Sequence, residues 1–501
     1  MRKSIAVNSV FNIAYNLITA IYPLIAVSYL SHIVHADRVG AINYAQNIVS
    51  WFVIIAGLGL PTYGTKEVAK VADDKDKRSQ LFCDLFTVNF LSTSVAVLAY
   101  VALVFAVPRF TNEYVLYAVA GVQIVLSYIN VDWFYQGMEE YKYISIRSTI
   151  IKLLSLIALF IFVRTPDDYI VYVVLHVIAI AGNNVFNIVH VRRYIALRGK
   201  KPSVWKYVKP VVILLIASLA IEAYMMIDTL MLGIFHDDTT VGCYSNAMKL
   251  TRMVNTLCSA VGAVLLPRLS VTFASGDKTQ FNTLVNTAIK VMLLLAIPAT
   301  VGMVVLSDEI VLLLFGSTFG PSVPILKVLA LMVPVVVFNT MLGMQVLVTA
   351  DMEWKYILSV GIGAVVNIIS NAIFIPRFGG VAAAWTSFAS EVVVLTAYLI
   401  FTRKIVRIRI GVWYWVSVAL PLAVYVLTYY FGLSKIPCGT LTTVVISVAV
   451  CCILYFGLGL LLKNDAIWLC AKKAIQFCKK SKAVQEDAPS NNEENHSIRE
   501  E

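Results

Sequence analysis

Fourteen apolar runs of roughly twenty residues, separated by short polar breaks, constrain this chain more than any other feature. A helix needs ~20 residues to cross a hydrocarbon core ~30 Å thick, and it satisfies its backbone polar groups internally. The runs fall at 8–33, 39–62, 79–107, 113–137, 144–164 and 168–190, then at 210–235, 241–266, 281–305, 322–349, 355–375, 380–402, 411–432 and 440–462. Of the 501 residues 59% are hydrophobic and 14% charged, against ~25% charged in an ordinary soluble domain. The chain is therefore expected to be an all-α polytopic membrane protein.

The breaks orient it. Between the sixth and seventh runs, Arg192, Arg193, Arg198, Lys200, Lys201, Lys206 and Lys209 stand without an acidic neighbour, seven unneutralised charges that mark the cytoplasmic side. Placing that bridge inside puts 30 of the 40 basic residues in inner segments and five (Arg38, Arg109, Arg164, Arg377 and Lys435) in outer loops. The other five, Lys152, Lys249, Arg252, Lys290 and Lys327, fall within runs. The alternation predicts an even span number with both termini cytoplasmic, the first run being a retained span rather than a cleaved leader. It also accounts for the net charge of +11 without nucleic acid. The eight cysteines have no metal spacing and mostly lie inside apolar runs.

A faint repeat joins the halves. Val39, Gly40 and Ala45 recur 202 residues later as Val241, Gly242 and Ala247, and Leu60-Pro61 answers to Leu266-Pro267. The expected organisation is a six-helix bundle over 1–190, a basic linker over 191–209, a second six-helix bundle over 210–402, two appended helices over 411–462, and a partly disordered cytoplasmic tail over 463–501. Two bundles related by a pseudo-two-fold axis leave a cavity at their interface.

Helical spacing selects what faces that cavity. Gly242, Ser245, Lys249, Arg252, Thr256 and Ser259 advance by threes and fours along one face of the eighth span. Lys249 and Arg252 lie near the midplane, where a cation costs at least ~2.5–3.5 kcal/mol unless it faces a polar cavity or a partner. The related positions of the second span are Asn43, Asn47 and Ser50. Asn16 of the first span, Lys152 of the fifth and Lys290 of the ninth are candidate neighbours. Glu222, Asp228 and Glu391 are the candidate coupling-ion sites, for H+ or Na+. A purely structural alternative makes Lys152 and Lys290 the salt-bridge partners of Glu391 or Glu222, and the Asn and Ser stripes helix-packing contacts. Lys327 and Asp132, near span ends, are expected to snorkel. Four deep cations against two deep carboxylates leave the interior net positive, as an anionic ligand requires. There is no phosphate loop, glycine fingerprint or metal-spaced histidine set, so no enzyme and no cofactor is expected.

Several stretches resemble the Wzx-type polysaccharide flippases, members of the superfamily that includes the multidrug extrusion transporters and the lipid II flippases. They are Val131 to Tyr143 (VDWFYQGMEEYKY), Ile146 to Lys152, Asp167-Asp168-Tyr169, Tyr224 with Asp228, Val241 to Ser245 and Leu266-Pro267-Arg268-Leu269-Ser270, then Phe315-Gly316, Phe378-Gly379-Gly380 and Trp385-Thr386. The resemblance implies flipping of an undecaprenyl-diphosphate-linked oligosaccharide across a bacterial inner membrane by alternating access, with membrane lipids, a polysaccharide polymerase and other assembly proteins as partners. On that reading Lys249 and Arg252 hold the diphosphate, assisted by Lys152 and Lys290. A cation antiporter of the extrusion type, a membrane glycosyltransferase or polymerase, and a non-transporting assembly partner are the rival readings. The first requires an acidic cavity and the second a substantial carboxylate-bearing loop.

Overall fold

The computed structural model describes residues 19, 21–196, 199, 201–435, 439–469 and 472. The expected Asn16 contact and the disordered tail beyond 472 lie outside the described residues. Where the chain is described it is helical, with no strand.

The first half comprises α1 (Ile21–Ile33), α2 (Ala36–Gly57), α3 (Leu60–Lys70), α4 (Lys75–Ala106), α5 (Pro108–Asn112), α6 (Tyr114–Leu126), α7 (Asp132–Gly137), α8 (Tyr141–Phe162), α9 (Tyr169–Ala181) and α10 (Asn183–His190). The second comprises α11 (Trp205–Phe235), α12 (Asp238–Ala274), α13 (Lys278–Val305), α14 (Ser307–Phe315), α15 (Ser322–Thr340) and α16 (Glu353–Thr402), with α17 (Val412–Phe431) and α18 (Thr440–Leu461) appended. Among the described residues nine helices are long and apolar enough to cross a membrane, and three shorter apolar stretches join them. One of the nine, α16, makes two crossings broken at Gly379, whose φ of 58° a side chain rarely adopts. With α12, 37 residues long, and the shorter apolar helices Ile21–Ile33, Tyr114–Ile129 and Tyr224–Phe235, the described helices fall where the expected spans were placed, although residues 8–18 of the first span lie outside the described residues.

Boundaries shift where polar helix was read as loop. The basic segment expected at 65–78 is largely helix: Lys66 and Lys70 ride on α3, and α4 starts at Lys75 behind an Asp74 cap that accepts from the Asp76 and Lys77 amides. The connection after the ninth span folds as the separate helix α14. Leu98, Phe105 and Phe162, between 62% and 77% exposed, lie on outward faces suited to lipid rather than water.

Within the first half α2 packs on α4 and α6, α6 on α9, and α8 on α9; within the second α15 packs on α12, α13 and α16, and α16 on α11. The halves meet most extensively along α2 and α12. Glycine permits this: a methyl at Gly40 would collide with the Asp238 carbonyl, and one at Gly242 would sit 3.0 Å from the Gly40 nitrogen. Repeat-related glycines thus face each other at the crossing. At the same end the Arg109 guanidinium donates to the Gly233 carbonyl and the Asp238 carboxylate, and its Cζ lies 4.2 Å from the Tyr44 ring centroid. One arginine of the first half thereby closes that end against α11 and α12. Beside it Asp237 caps α12, and the hydroxyl and amide of Thr240 hold its carboxyl below the usual carboxylate range.

The opposite end of the first half is an aromatic knot built from the Asp-Trp-Phe-Tyr-Gln-Gly stretch. Trp133 covers Gly64 of α3, Gly137 abuts Val68, and Phe82, Phe134, Tyr135 and Tyr194 interlock around them. Asp132 does not simply snorkel: it accepts from Asn187 at 2.5 Å and pairs with Arg147 at 3.2 Å. Lys327 pairs with Asp308 at 3.3 Å, both side chains exposed. The linker is also corrected. Its Lys206 lies 3.3 Å from Asp84, whose side chain is fully buried and also accepts from the Ser203 amide, while Gln80 donates to the Lys201 carbonyl. Lys206 is therefore a neutralised charge and the linker is docked to α4; an intramembrane carboxylate read as part of an apolar run was its partner.

Candidate functional site

The α2–α12 crossing opens, on the far side of the glycine contact, into a cavity of about 200 Å3. Asn43, Gln46, Asn47 and Ser50 of α2 form one wall, Gln123 of α6 and His176 of α9 extend it, and Met225, Met226 and Thr229 of α11 with Ser245, Lys249 and Arg252 of α12 face them. The three-and-four spacing on α12 and its counterpart on α2 are what bring these groups to one space.

Each charged group is held. Lys249 Nζ donates to Asn43 Oδ1 at 2.7 Å, Asn43 donates to Asn246 Oδ1 at 3.5 Å, and Asn246 donates to Ser31 Oγ at 3.0 Å, a polar relay that crosses between the halves. Arg252 donates through one nitrogen to the Met225 carbonyl, leaving most of its planar fork for a ligand. Asn47 donates to the Met226 carbonyl at 3.1 Å and accepts from Trp51 at 3.2 Å. The buried Ser245 hydroxyl has no hydrogen-bond partner among the described residues. Among the described residues no carboxylate lines this cavity. Two cations among amides and hydroxyls suit a phosphate group with sugar attached: charge-assisted donors for the first, neutral donors and acceptors for the second.

The carboxylates lie deeper in the second half. A recess of about 100 Å3 adjoins the cavity through Met225, Met248 and Arg252 and is also lined by Asp228, Glu391, Asn255, Asn367 and Ser387. Asp228 is 5% exposed and accepts from Tyr244, Ser387 and Asn371, each at 2.6 Å. Asn371 also donates to Asn367 and accepts from Thr386, so the aspartate heads a buried network across α11, α12 and α16. Glu391 accepts from Asn339 at 2.7 Å.

The sequence-predicted set is thus divided. Lys249, Arg252 and Asn47 share the cavity; Asp228 and Glu391 share the recess. Lys152 does not line either space: it is 7% exposed within the first half and donates to Thr19 at 2.7 Å. Lys290 belongs to a different cavity at the end of α13, 3.5 Å from Asp465. Neither lysine forms an ion pair with Glu222 or Glu391 among the described residues, and Glu222 lines neither space. The reason is angular: a residue can lie at the right depth and still point into its own bundle. His176, Gln46, Gln123 and Asn371 were missed: His176 and Gln123 are single polar residues in apolar runs and give no periodic signal, whereas Gln46 lies on the Asn43–Asn47–Ser50 stripe and Asn371 four residues after Asn367, so helical spacing could have found them.

Comparison with known proteins agrees with this architecture. The family model described as polysaccharide biosynthesis protein matches residues 5–273, and one described as MatE matches residues 214–373. The chain is 20% identical over 398 residues to a protein named "Putative O-antigen transporter" of Escherichia coli (strain K12), covering 76% of this chain and 92% of that one. It is 30% identical over 181 residues to a "Probable low-salt glycan biosynthesis flippase" of Haloferax volcanii, covering 35% and 38%. Its fold resembles a lipid II flippase in an inward closed conformation, with a TM-score of 0.73 at 13% identity over 91% of this chain and 99% of that one. It also resembles an inward-facing multidrug resistance transporter, with a TM-score of 0.60 at 15% identity over 78% and 94%. With more than half its length matched by one family model, the chain belongs to the polysaccharide biosynthesis protein family of multi-pass membrane proteins.

Proposed function

We propose that this protein is a flippase that moves polyprenyl-diphosphate-linked oligosaccharides from the cytoplasmic to the outer leaflet of a bacterial inner membrane, with both termini cytoplasmic. The observation that carries the reading is the inter-half cavity, cationic through Lys249 and Arg252 and free of carboxylates. A cavity selecting cationic drugs would carry the opposite charge. The diphosphate binds Lys249 and Arg252, the sugars meet the amides of α2, α6 and α9, and the polyprenyl chain stays in lipid. In this conformation the cavity is smaller than the ~300–1,000 Å3 of ordinary ligand pockets, so an oligosaccharide enters only when the halves part. We assign residues 1–190 and 210–402 as the two moving units, 191–209 as their tether and the Arg109 contacts as the outer closure. Membrane lipids, a polymerase and other assembly proteins are its expected partners.

The driving ion is assigned to Asp228, through H+ or Na+. All its neighbours bear oxygen, and Asn371 and the hydroxyls of Tyr244 and Ser387 can each turn an oxygen toward a cation. Arg252 lines the same recess, so a cation arriving at Asp228 weakens the hold of that carboxylate's field on Arg252 and alters its availability to the substrate. The testing experiment is translocation of a fluorescent polyprenyl-diphosphate oligosaccharide in proteoliposomes, with and without proton and sodium gradients. Transport stimulated by one gradient is expected; ethidium efflux without lipid translocation would replace the reading with drug export.

A further inference from the structure

The cavity that holds Lys290 lies apart from the inter-half site, at the junction of α13, the segment after α16, and α17. It measures about 840 Å3. Its basic lining is Lys278 and Lys290 of α13 with Arg403, Lys404, Arg407 and Arg409 of the connecting segment, and among the described residues no carboxylate lines it. Lys290 has Asp465 at 3.5 Å on an 82% exposed side chain; among the described residues the other five cations make no ion pair. Such a cluster repels itself unless an anion occupies it.

The site is built rather than a loose fringe of surface charge. Asn282 Oδ1 accepts from the Arg407 amide at 2.7 Å, Asn286 donates to the Arg407 carbonyl at 3.0 Å, and Asn286 Oδ1 accepts from the Arg409 amide at 2.6 Å. These two asparagines, four residues apart on one face of α13, fix the backbone of the basic segment against the helix. Tyr414 anchors α17 to the same helix by donating to the Lys290 carbonyl at 2.7 Å. Thr279, Thr283 and Thr287 add hydroxyls along the face, which runs ~18 Å from Lys278 to Lys290 at 1.5 Å per residue. Trp413 and Trp415 flank Tyr414, and Trp468 lies three residues after Asp465; at 58%, 44% and 44% exposure they are indoles of the kind enriched at membrane interfaces. A cationic, hydroxyl-lined cavity has the donors that a lipid phosphate at the interface would need.

We propose that this cavity binds the phosphate headgroup of a membrane lipid, at a site separate from the flipping cavity. The same chemistry is offered by a phospholipid and by the diphosphate of a polyprenyl carrier waiting to load. Residues 486–501, with six acidic residues and one arginine, are the competing occupant.

The test uses the full chain in phosphatidylcholine nanodiscs and measures, by native mass spectrometry, retention of added dioleoyl-phosphatidylglycerol and of farnesyl diphosphate, with farnesol as the uncharged control. Arg407→Gln with Arg409→Gln should lower retention of the phosphate ligands about tenfold or more, the loss of one to two charge-assisted bonds. Arg403→Gln with Lys404→Gln should lower it in the same direction. Arg192→Gln with Arg193→Gln, an equal charge change on the linker, should alter it less than about twofold if the cavity and not net charge decides. Preference for farnesyl diphosphate identifies the carrier lipid as the source, and preference for phosphatidylglycerol a bulk phospholipid; farnesol retained as well as farnesyl diphosphate overturns the proposal. Equal losses in the cavity and linker variants overturn it in favour of diffuse surface charge. Binding that appears only after deletion of 486–501 overturns it in favour of the acidic segment. Retention is read without translocation, so a protein that binds here and fails to flip upholds this site while removing the flippase reading.

Discussion

Lys249 and Arg252 share a helix face yet are held differently, and their substitutions should differ accordingly. Lys249 spans the halves by donating to Asn43, whereas Arg252 stays within the second half by donating to the Met225 carbonyl. Removing either loses a charge-assisted bond to the ligand of ~1.5–3 kcal/mol, so Lys249→Ala and Arg252→Ala should each slow translocation about tenfold to a hundredfold. Protein level should stay near normal, because neither substitution strands a buried carboxylate. Arg252→Lys should recover part of the rate by keeping charge without the planar fork. Asp228→Asn should leave substrate binding within about threefold and abolish stimulation by the coupling gradient, measured as transport with and without that gradient; unchanged stimulation would remove the ion assignment.

At the scale of elements, the spans were legible because hydrophobic runs and basic breaks are dense signals; the faint match of Gly40 with Gly242 suggested a repeat, and only the structure shows that the two glycines meet at the α2–α12 crossing. What stayed hidden were contacts made by single polar residues. Asp84 lies inside an apolar run and gives no sign that it docks the linker; only the folded chain places Lys206 and the Ser203 amide on it. Lys206→Ala should therefore destabilise the protein in detergent by about 3 kcal/mol, because it leaves the fully buried Asp84 carboxylate without its cation, and Asp84→Ala by about 1–3 kcal/mol through the orphaned Ser203 amide. Thermal unfolding of the purified variants checks the order. The candidate site was half legible for a related reason. Depth along a helix follows from residue count, but the rotation that sends Lys152 and Lys290 away from the cavity depends on how each helix leans on its neighbours. The Asp-Trp-Phe-Tyr-Gln-Gly stretch, which carried the family resemblance, proved to pack α3 against α7 rather than to touch the cavity.

For the whole molecule, on the proposed flippase reading, the closed α2–α12 end and the small cavity are one state of two halves that rock against each other. The end proposed to face outward is closed by Arg109, which ties the first half to Gly233 and Asp238. Arg109→Ala should raise the thiol-reagent reactivity of a cysteine placed at Thr229 in the cavity, read from the outer side in a background lacking the native cysteines; unchanged reactivity would mean that the glycine crossing alone holds the end shut. The separation of charge is also a property of the whole: cations in the cavity between the halves, carboxylates in the recess of one half, and a second basic cavity along α13. The most direct test of the central claim is translocation of a labelled polyprenyl-diphosphate oligosaccharide by the Lys249→Ala, Arg252→Ala double variant in proteoliposomes at matched protein content. The account predicts flipping at the rate of protein-free vesicles, whereas wild-type rates from that well-folded variant would contradict it.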